Sequence, residues 1–126
     1  MKKLFLLLGL SLGLMSFSPQ TDLSTIVNSL KSANGEQISS YFDSFIDIKL
    51  PEKEEVKNIG KNQAGIALKN FLSENKITGF ESTSQREMSG TMYLTGKLLN
   101  SAKGYNITIM MKSTSGKWQI ITLRIS

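Results

Sequence analysis

Hydrophobic and polar residues alternate most regularly toward the C-terminal end of the chain. Over residues 105–112, Tyr105, Ile107, Ile109 and Met111 fall on one side of an extended chain, with Asn106, Thr108, Met110 and Lys112 on the other. Successive side chains of a strand point to opposite faces of a sheet. The pattern therefore predicts a β-strand with one buried face and one mostly polar face.

Three further strands are predicted around this one, over residues 77–87, 91–99 and 118–125. The first is the weakest because it has many polar positions beside Phe80, which suits an edge strand. Short polar turns separate the strands: Ser89-Gly90, the stretch 100–104, and 113–116. Strands joined by such short turns pair as antiparallel neighbours. The sequence therefore predicts a four-stranded meander.

For the last of these strands, the pattern does not show which of the two faces is buried. One set of alternating residues is Gln119, Ile121, Leu123 and Ile125, and the other is Trp118, Ile120, Thr122 and Arg124. The first set is more apolar, yet the second contains the tryptophan. If the second set points outward, Trp118, Ile120 and Arg124 form the kind of mixed patch found at protein interfaces. The hypothesis that follows is a homodimer formed through the sheet; the alternative is that Trp118 packs inward.

Helices and a hairpin are predicted upstream of the meander. Apolar residues Leu23, Ile26, Val27 and Leu30 recur at helical spacing between an N-cap at Thr21-Asp22 and a stop at Asn34-Gly35. A short second helix covers residues 36–43, strands cover 45–50 and 56–59, and Asn62 caps a helix over 63–75. The predicted order is α-α-β-β-α-β-β-β-β, an α+β fold.

The N-terminal residues have the pattern of a secretory signal peptide. Lys2 and Lys3 precede an apolar run from Leu4 to Phe17, which is too short to be read as a membrane-spanning helix. We therefore expect a signal peptide over residues 1–18 and a single domain over 19–126. The protein is expected to be exported to the periplasm or exterior of a Gram-negative bacterium, with no membrane span after cleavage.

Composition excludes several kinds of chemistry. The chain contains no cysteine and no histidine, which removes thiol nucleophiles, thiolate metal sites and the commonest general base. No cofactor is predicted. The formal charge of +5 falls to +3 without Lys2 and Lys3, with 13 basic and 10 acidic residues. Since the basic residues are scattered, no nucleic-acid partner is expected.

Several sheet and turn segments resemble a family of small exported proteins classed as domain of unknown function 4783. They are Phe80, residues 90–96, residues 104–107 and residues 118–121, with Gly35, Tyr41-Phe42 and the first hairpin upstream. The element order resembles the nuclear-transport-factor-2-like fold, a relative of the cystatin-like architecture. The resemblance implies a curved, mostly antiparallel sheet wrapped around the helices as a cone. It implies no activity, because many functions share this fold.

An exported, non-enzymatic binding module is the function favoured at this point. Its occupant is either a small apolar ligand in the cone or a protein partner on the sheet. The residues expected to line an apolar pocket are Tyr41, Phe42, Phe45, Met92 and Tyr93. The simpler interpretation is that such aromatic and methionine residues only fill the core.

Two alternatives stay open. Ketosteroid isomerases of this superfamily place acid–base residues in the cone, and without histidine that chemistry would fall to Asp43 or Asp47 with Tyr41, Tyr93 or Tyr105. No catalytic residue is assigned, because both aspartates also fit ordinary helix-end and strand positions. The second alternative is a structural accessory domain of the cell envelope.

Overall fold

The computed structural model describes residues 19–126, and the predicted signal peptide lies outside the described residues. Three helices and six strands make up this part of the chain. Their bounds are α1 Pro19–Lys31, α2 Gly35–Ser39, β1 Phe42–Lys49, β2 Val56–Gly60, α3 Lys61–Glu74, β3 Gly79–Met88, β4 Thr91–Leu99, β5 Gly104–Thr114 and β6 Lys117–Ile125. This order confirms the predicted α+β succession of elements.

All six strands form one curved, unclosed sheet in the order β2-β1-β6-β5-β4-β3. The meander from β3 to β6 is antiparallel throughout, as predicted, and β1 and β2 form an antiparallel hairpin. Only β1 and β6 run parallel, with Ile48 opposite Leu123. This central pair joins the N-terminal and C-terminal halves of the fold.

A β-bulge in β6 settles which of its side chains face inward. Met111 pairs with Ile120, whereas Met110 pairs with Thr122, so that Ile121 is an extra residue on the bulged strand. Before the bulge Trp118 and Ile120 are buried; after it the buried residues are Leu123 and Ile125. The alternating set that contains Trp118 therefore points inward before the bulge, and the set that contains Leu123 points inward after it.

This bulge corrects the predicted interface. Trp118 is 5% exposed and Ile120 is fully buried, so neither can contribute to an outward patch. Arg124 does point to solvent, where its Nη2 lies 3.1 Å from Glu55 Oε1. The hypothesis of self-association through the sheet stays a prediction, without two of the three residues on which it was based.

The core lies between the inner face of the sheet and the three helices. Ile26 and Leu30 of α1, Ile38 of α2 and Leu68 of α3 are fully buried against sheet residues such as Ile109. Within residues 19–126, no helix combines the length and apolar character needed to span a bilayer. Burial of apolar side chains is the main force holding the helices on the sheet.

Several element boundaries differ from the predictions, and the first is the start of α1, which begins at Pro19, before the predicted N-cap at Thr21-Asp22. Helix α2 ends at Ser39, so that Phe42 begins strand β1 and does not close the helix. The cause is pairing with the sheet: the Ile120 N–H donates to the Tyr41 carbonyl at 2.7 Å. Helix α3 begins at Lys61, directly after Gly60, so the prediction of Asn62 as its cap is wrong.

Candidate functional site

A groove with a volume of about 950 Å³ opens beside helix α3. One wall is α3, the opposite wall is the end of β1 with the turn that follows it, and the floor is the start of β5. We call this the α3 groove. Its lining residues are Lys49–Lys53, Gln63, Ile66, Ala67, Asn70, Phe71, Glu74, Asn75, Lys103, Gly104, Tyr105 and Ser126. The volume is in the range typical of small-ligand sites.

Helix α3 gives the groove a continuous wall because its lining residues recur at helical spacing. Gln63, Ile66, Asn70 and Glu74 lie within one stripe, which spans about 16 Å along the axis at 1.5 Å per residue. This stripe lies on the side of the helix away from Leu68, and Ala67 and Phe71 line the groove between the stripe and the core. Ile66 is 55% exposed, so an apolar side chain faces solvent in the middle of the wall.

The floor of the groove is held by hydrogen bonds around Asn75. The Tyr105 hydroxyl donates to Asn75 Oδ1 at 2.9 Å, and Asn75 Nδ2 donates to the Phe71 carbonyl at 2.9 Å. Asn100 Nδ2 donates to the Asn75 carbonyl at 2.7 Å. The rings of Phe71 and Tyr105 meet edge to face, with centroids 5.2 Å apart. Since each contact restrains the next, the aromatic floor is fixed before any ligand arrives.

The rim of the groove carries charges of both signs without ionic partners. No carboxylate lies within 4.0 Å of Lys49, Lys53 or Lys103 among residues 19–126. The Lys49 ammonium donates to the Leu50 carbonyl at 2.7 Å, and the Lys103 ammonium lies 4.6 Å from the centroid of the Tyr105 ring. An exposed cation–π contact of this kind is weak, so Lys103 remains available to an anionic group.

The five residues predicted to line an apolar pocket are not brought together. Phe42 is 1% exposed and Met92 is 7% exposed, and both belong to the core. Phe45 is 58% exposed and, like Tyr93, alternates with inward-facing neighbours, so both lie on the outer face. Tyr41 packs against the edge of the core. Side chains on opposite faces of a sheet cannot line one pocket, and the prediction is corrected accordingly.

The carboxylates of the acid–base alternative are bound to groups other than tyrosine. Asp43 accepts a hydrogen bond from the Ser44 N–H at 2.9 Å and lies 3.2 Å from the Lys112 ammonium. The hydrogen bond from Ser44 is the main cause of a lowered pKa for Asp43; partial burial opposes it, and Lys112 adds to it. A lowered pKa makes this carboxylate a weaker base at neutral pH. Asp47 accepts from the Asn58 N–H at 2.8 Å.

Metal-binding geometry is also missing from the described part of the chain. Across residues 19–126, no three side chains of the metal-ligating acidic, histidine or cysteine types lie together.

Sequence reasoning missed the α3 groove because its walls come from distant segments. In the sequence, Ile66 lies outside the apolar stripe that Ala64, Ala67, Leu68, Phe71 and Leu72 form at helical spacing. This apolar residue outside the stripe was the feature of the sequence that could have indicated the groove. Tyr105 was interpreted as an ordinary strand residue, and nothing local pointed to its bond with Asn75.

Comparisons with known proteins agree with this architecture. A family model described as domain of unknown function (DUF4783) matches residues 23–126. A DUF4783 family protein from Bacteroides uniformis has a similar crystal structure, with a TM-score of 0.74 and 17% identity over 82% of this chain and 94% of that chain. Comparison with curated proteins gives no match.

Two other solved structures are similar in fold. One is a protein from Parabacteroides distasonis, provisionally named a ketosteroid isomerase, with a TM-score of 0.65 and 18% identity over 86% of each chain. The other is an NTF2-like protein of unknown function from Cytophaga hutchinsonii, with a TM-score of 0.57 and 11% identity over 86% of this chain and 88% of that chain. At these identities the likeness concerns the fold alone. The chain belongs to the domain of unknown function 4783 family, and its fold is nuclear-transport-factor-2-like, as predicted.

Proposed function

We propose that this protein is an exported, non-enzymatic binding domain and that the α3 groove is its ligand site. The observation that carries the proposal is Ile66, a large apolar side chain left 55% exposed in the wall of a groove whose aromatic floor is already fixed. A preformed concave site with apolar surface and a few polar groups is the usual form of a ligand site.

The groove is a better candidate than the interior of the cone. Apolar side chains from all three helices and from strands β1 and β3–β6 fill that interior, and they include the formerly proposed pocket residues Phe42 and Met92. A ligand placed there would have to displace packed side chains, which costs several kcal/mol. The groove offers apolar contact without that cost.

The non-enzymatic part of the proposal is supported by the side chains present. Neither Asp43 nor Asp47 is hydrogen-bonded to a tyrosine hydroxyl, and the Tyr105 hydroxyl is bound to an amide oxygen. A general base must lie within hydrogen-bond reach of the proton that it removes. The lining of the groove provides two carboxylates, Glu52 and Glu74, neither of which has an acid–base partner.

Binding to the groove can be measured with the fluorescent dye 8-anilinonaphthalene-1-sulfonate, which combines apolar rings with an anionic group. We expect the native fold to bind it and Ile66→Ser to weaken binding by about tenfold, because much of an isoleucine contact is lost. The matched control is Val56→Ser: Val56 is 48% exposed but lies on β2, outside the groove. Equal dye affinity in both variants would contradict the proposed site.

Export is supported by the sequence pattern of residues 1–18. We expect the protein purified from its own cells to have lost this segment, because signal peptidase removes such leaders. Mass spectrometry of the intact protein measures the loss directly. A mature mass that still includes residues 1–18 would contradict export by this route.

A further inference from the structure

Two amide side chains on the wall of the α3 groove have no hydrogen-bond partner among residues 19–126. Gln63 and Asn70 are both exposed, and no donor or acceptor of residues 19–126 lies within bonding distance of either side chain. Each amide carries a donor and an acceptor, the combination that a peptide group also carries. Both amides of the α3 groove can therefore hydrogen-bond to the peptide groups of a bound chain.

The spacing of these amides matches an extended chain. They are seven residues apart on α3, about 10 Å along the axis at 1.5 Å per residue. Three residues of an extended chain also cover about 10 Å at 3.3–3.4 Å per residue. An extended chain lying along α3 would therefore place one of its peptide groups beside Gln63 and another beside Asn70. Ile66 lies between the two amides, where a side chain of the bound segment would meet it.

The third feature is a lysine beside the floor of the groove. Lys103 lies beside the aromatic floor, and its ammonium contacts the Tyr105 ring without a carboxylate partner. An acidic side chain of a bound segment would supply that partner. The lining contains three lysines (Lys49, Lys53, Lys103) and two glutamates (Glu52, Glu74). This excess of one positive side-chain charge favours an acidic peptide over a neutral one.

We propose that the α3 groove binds an extended polypeptide segment through Gln63 and Asn70, with an apolar side chain against Ile66 and an acidic side chain near Lys103. This inference rests on the proposed function, because it names the ligand class of the same site.

The test uses two synthetic peptides and chemical-shift titration of the protein. The probe is acetyl-Glu-Ser-Leu-Ser-Glu-amide, which places a carboxylate near Lys103 in either chain direction. The control peptide replaces both glutamates by lysines. We expect the acidic peptide to bind at least fivefold more tightly, and we expect Lys103→Glu to reverse this preference. No difference between the two peptides would overturn the acidic part of the inference.

Protein variants test the amides separately. Combined Gln63→Ala and Asn70→Ala is expected to weaken peptide binding by about tenfold, since two hydrogen bonds are lost, while dye affinity stays unchanged. Both positions tolerate alanine because their side chains are exposed and alanine favours helix. Asn62→Ala removes an exposed amide of α3 outside the groove and should change neither measurement.

The outcomes separate the two proposals. Dye binding that depends on Ile66 without any peptide binding would overturn the peptide inference and leave the groove as a site for another ligand class. Equal losses of dye and peptide in the double variant would also overturn it, because the amides would then only shape the groove. Failure of both probes to bind would overturn the groove as a ligand site.

Discussion

Replacing Phe42 with alanine is expected to lower the free energy of unfolding by about 3–5 kcal/mol, the usual cost of removing a buried aromatic ring. The Phe42 side chain is 1% exposed and packs in the core between the sheet and the helices. Its loss would leave a cavity, because the structure around a missing core side chain relaxes only partially. Urea unfolding followed by circular dichroism measures the change.

The same strand provides a control three residues later. Phe45 is 58% exposed on the outer face, so Phe45→Ala should change the free energy of unfolding by less than about 0.5 kcal/mol. The sequence predicts that Phe42 and Phe45 line one pocket, whereas the structure places Phe42 in the core and Phe45 on the outer face. Comparing the two variants tests this difference. Equal destabilisation by the two substitutions would show that the two rings are not on opposite faces.

Replacing Gly96 with alanine is expected to destabilise the fold by about 2–3 kcal/mol, as overpacking usually does. A Cβ atom at this position of β4 would lie 2.4 Å from the Glu81 carbonyl oxygen and 2.5 Å from Phe80 Cε1. The ring of Phe80 covers the bare backbone of the glycine, an arrangement that stabilises strands containing glycine. Chemical unfolding of the variant measures the loss.

Gly79, on the neighbouring strand β3, is the matched control. A Cβ atom added there would lie 3.9 Å from Leu99 Cβ, an ordinary contact, and Gly79→Ala should change stability by less than about 1 kcal/mol. If Gly96→Ala destabilises the fold no more than Gly79→Ala does, the fold does not require the close approach of Phe80 to the backbone of β4.

The meander could be predicted because its signals are local. The alternation of residues 105–112 matches the buried face of β5, and β4 has the predicted bounds of residues 91–99. The hairpin turns were also marked by sequence. Ser89-Gly90 and Ser115-Gly116 all have positive φ, the conformation that two-residue hairpin turns require.

The inward face of β6 could not be predicted, because it depends on the partner strand. Alternation assumes an unbroken period of two, and Ile121 breaks it by standing opposite no residue of β5. Such a bulge shifts the inward positions of everything that follows by one residue. No property of Ile121 itself marks it as the extra residue, so the location of Trp118 depended on the three-dimensional pairing.

The candidate site was predictable only in part. Ile66 was visible as an apolar residue outside the core stripe of its helix, which is a property of the sequence alone. The rest of the groove required the fold, since Asn75 meets Tyr105 across 30 positions of the chain. The resemblance to a known family predicted the cone but gave no ligand site, because its shared residues belong to strands and turns.

The parallel pairing of β1 with β6 also affects the order in which the parts of the sheet can form during folding. Strand β1 covers residues 42–49, whereas its long neighbour β6 covers residues 117–125. Until β6 pairs with β1, the hairpin of β1 and β2 is not joined to the sheet of the meander. Pairing between such distant segments carries a large loop-closure cost and slows folding. We therefore expect the pairing of β1 with β6 to be the slow step in forming the sheet.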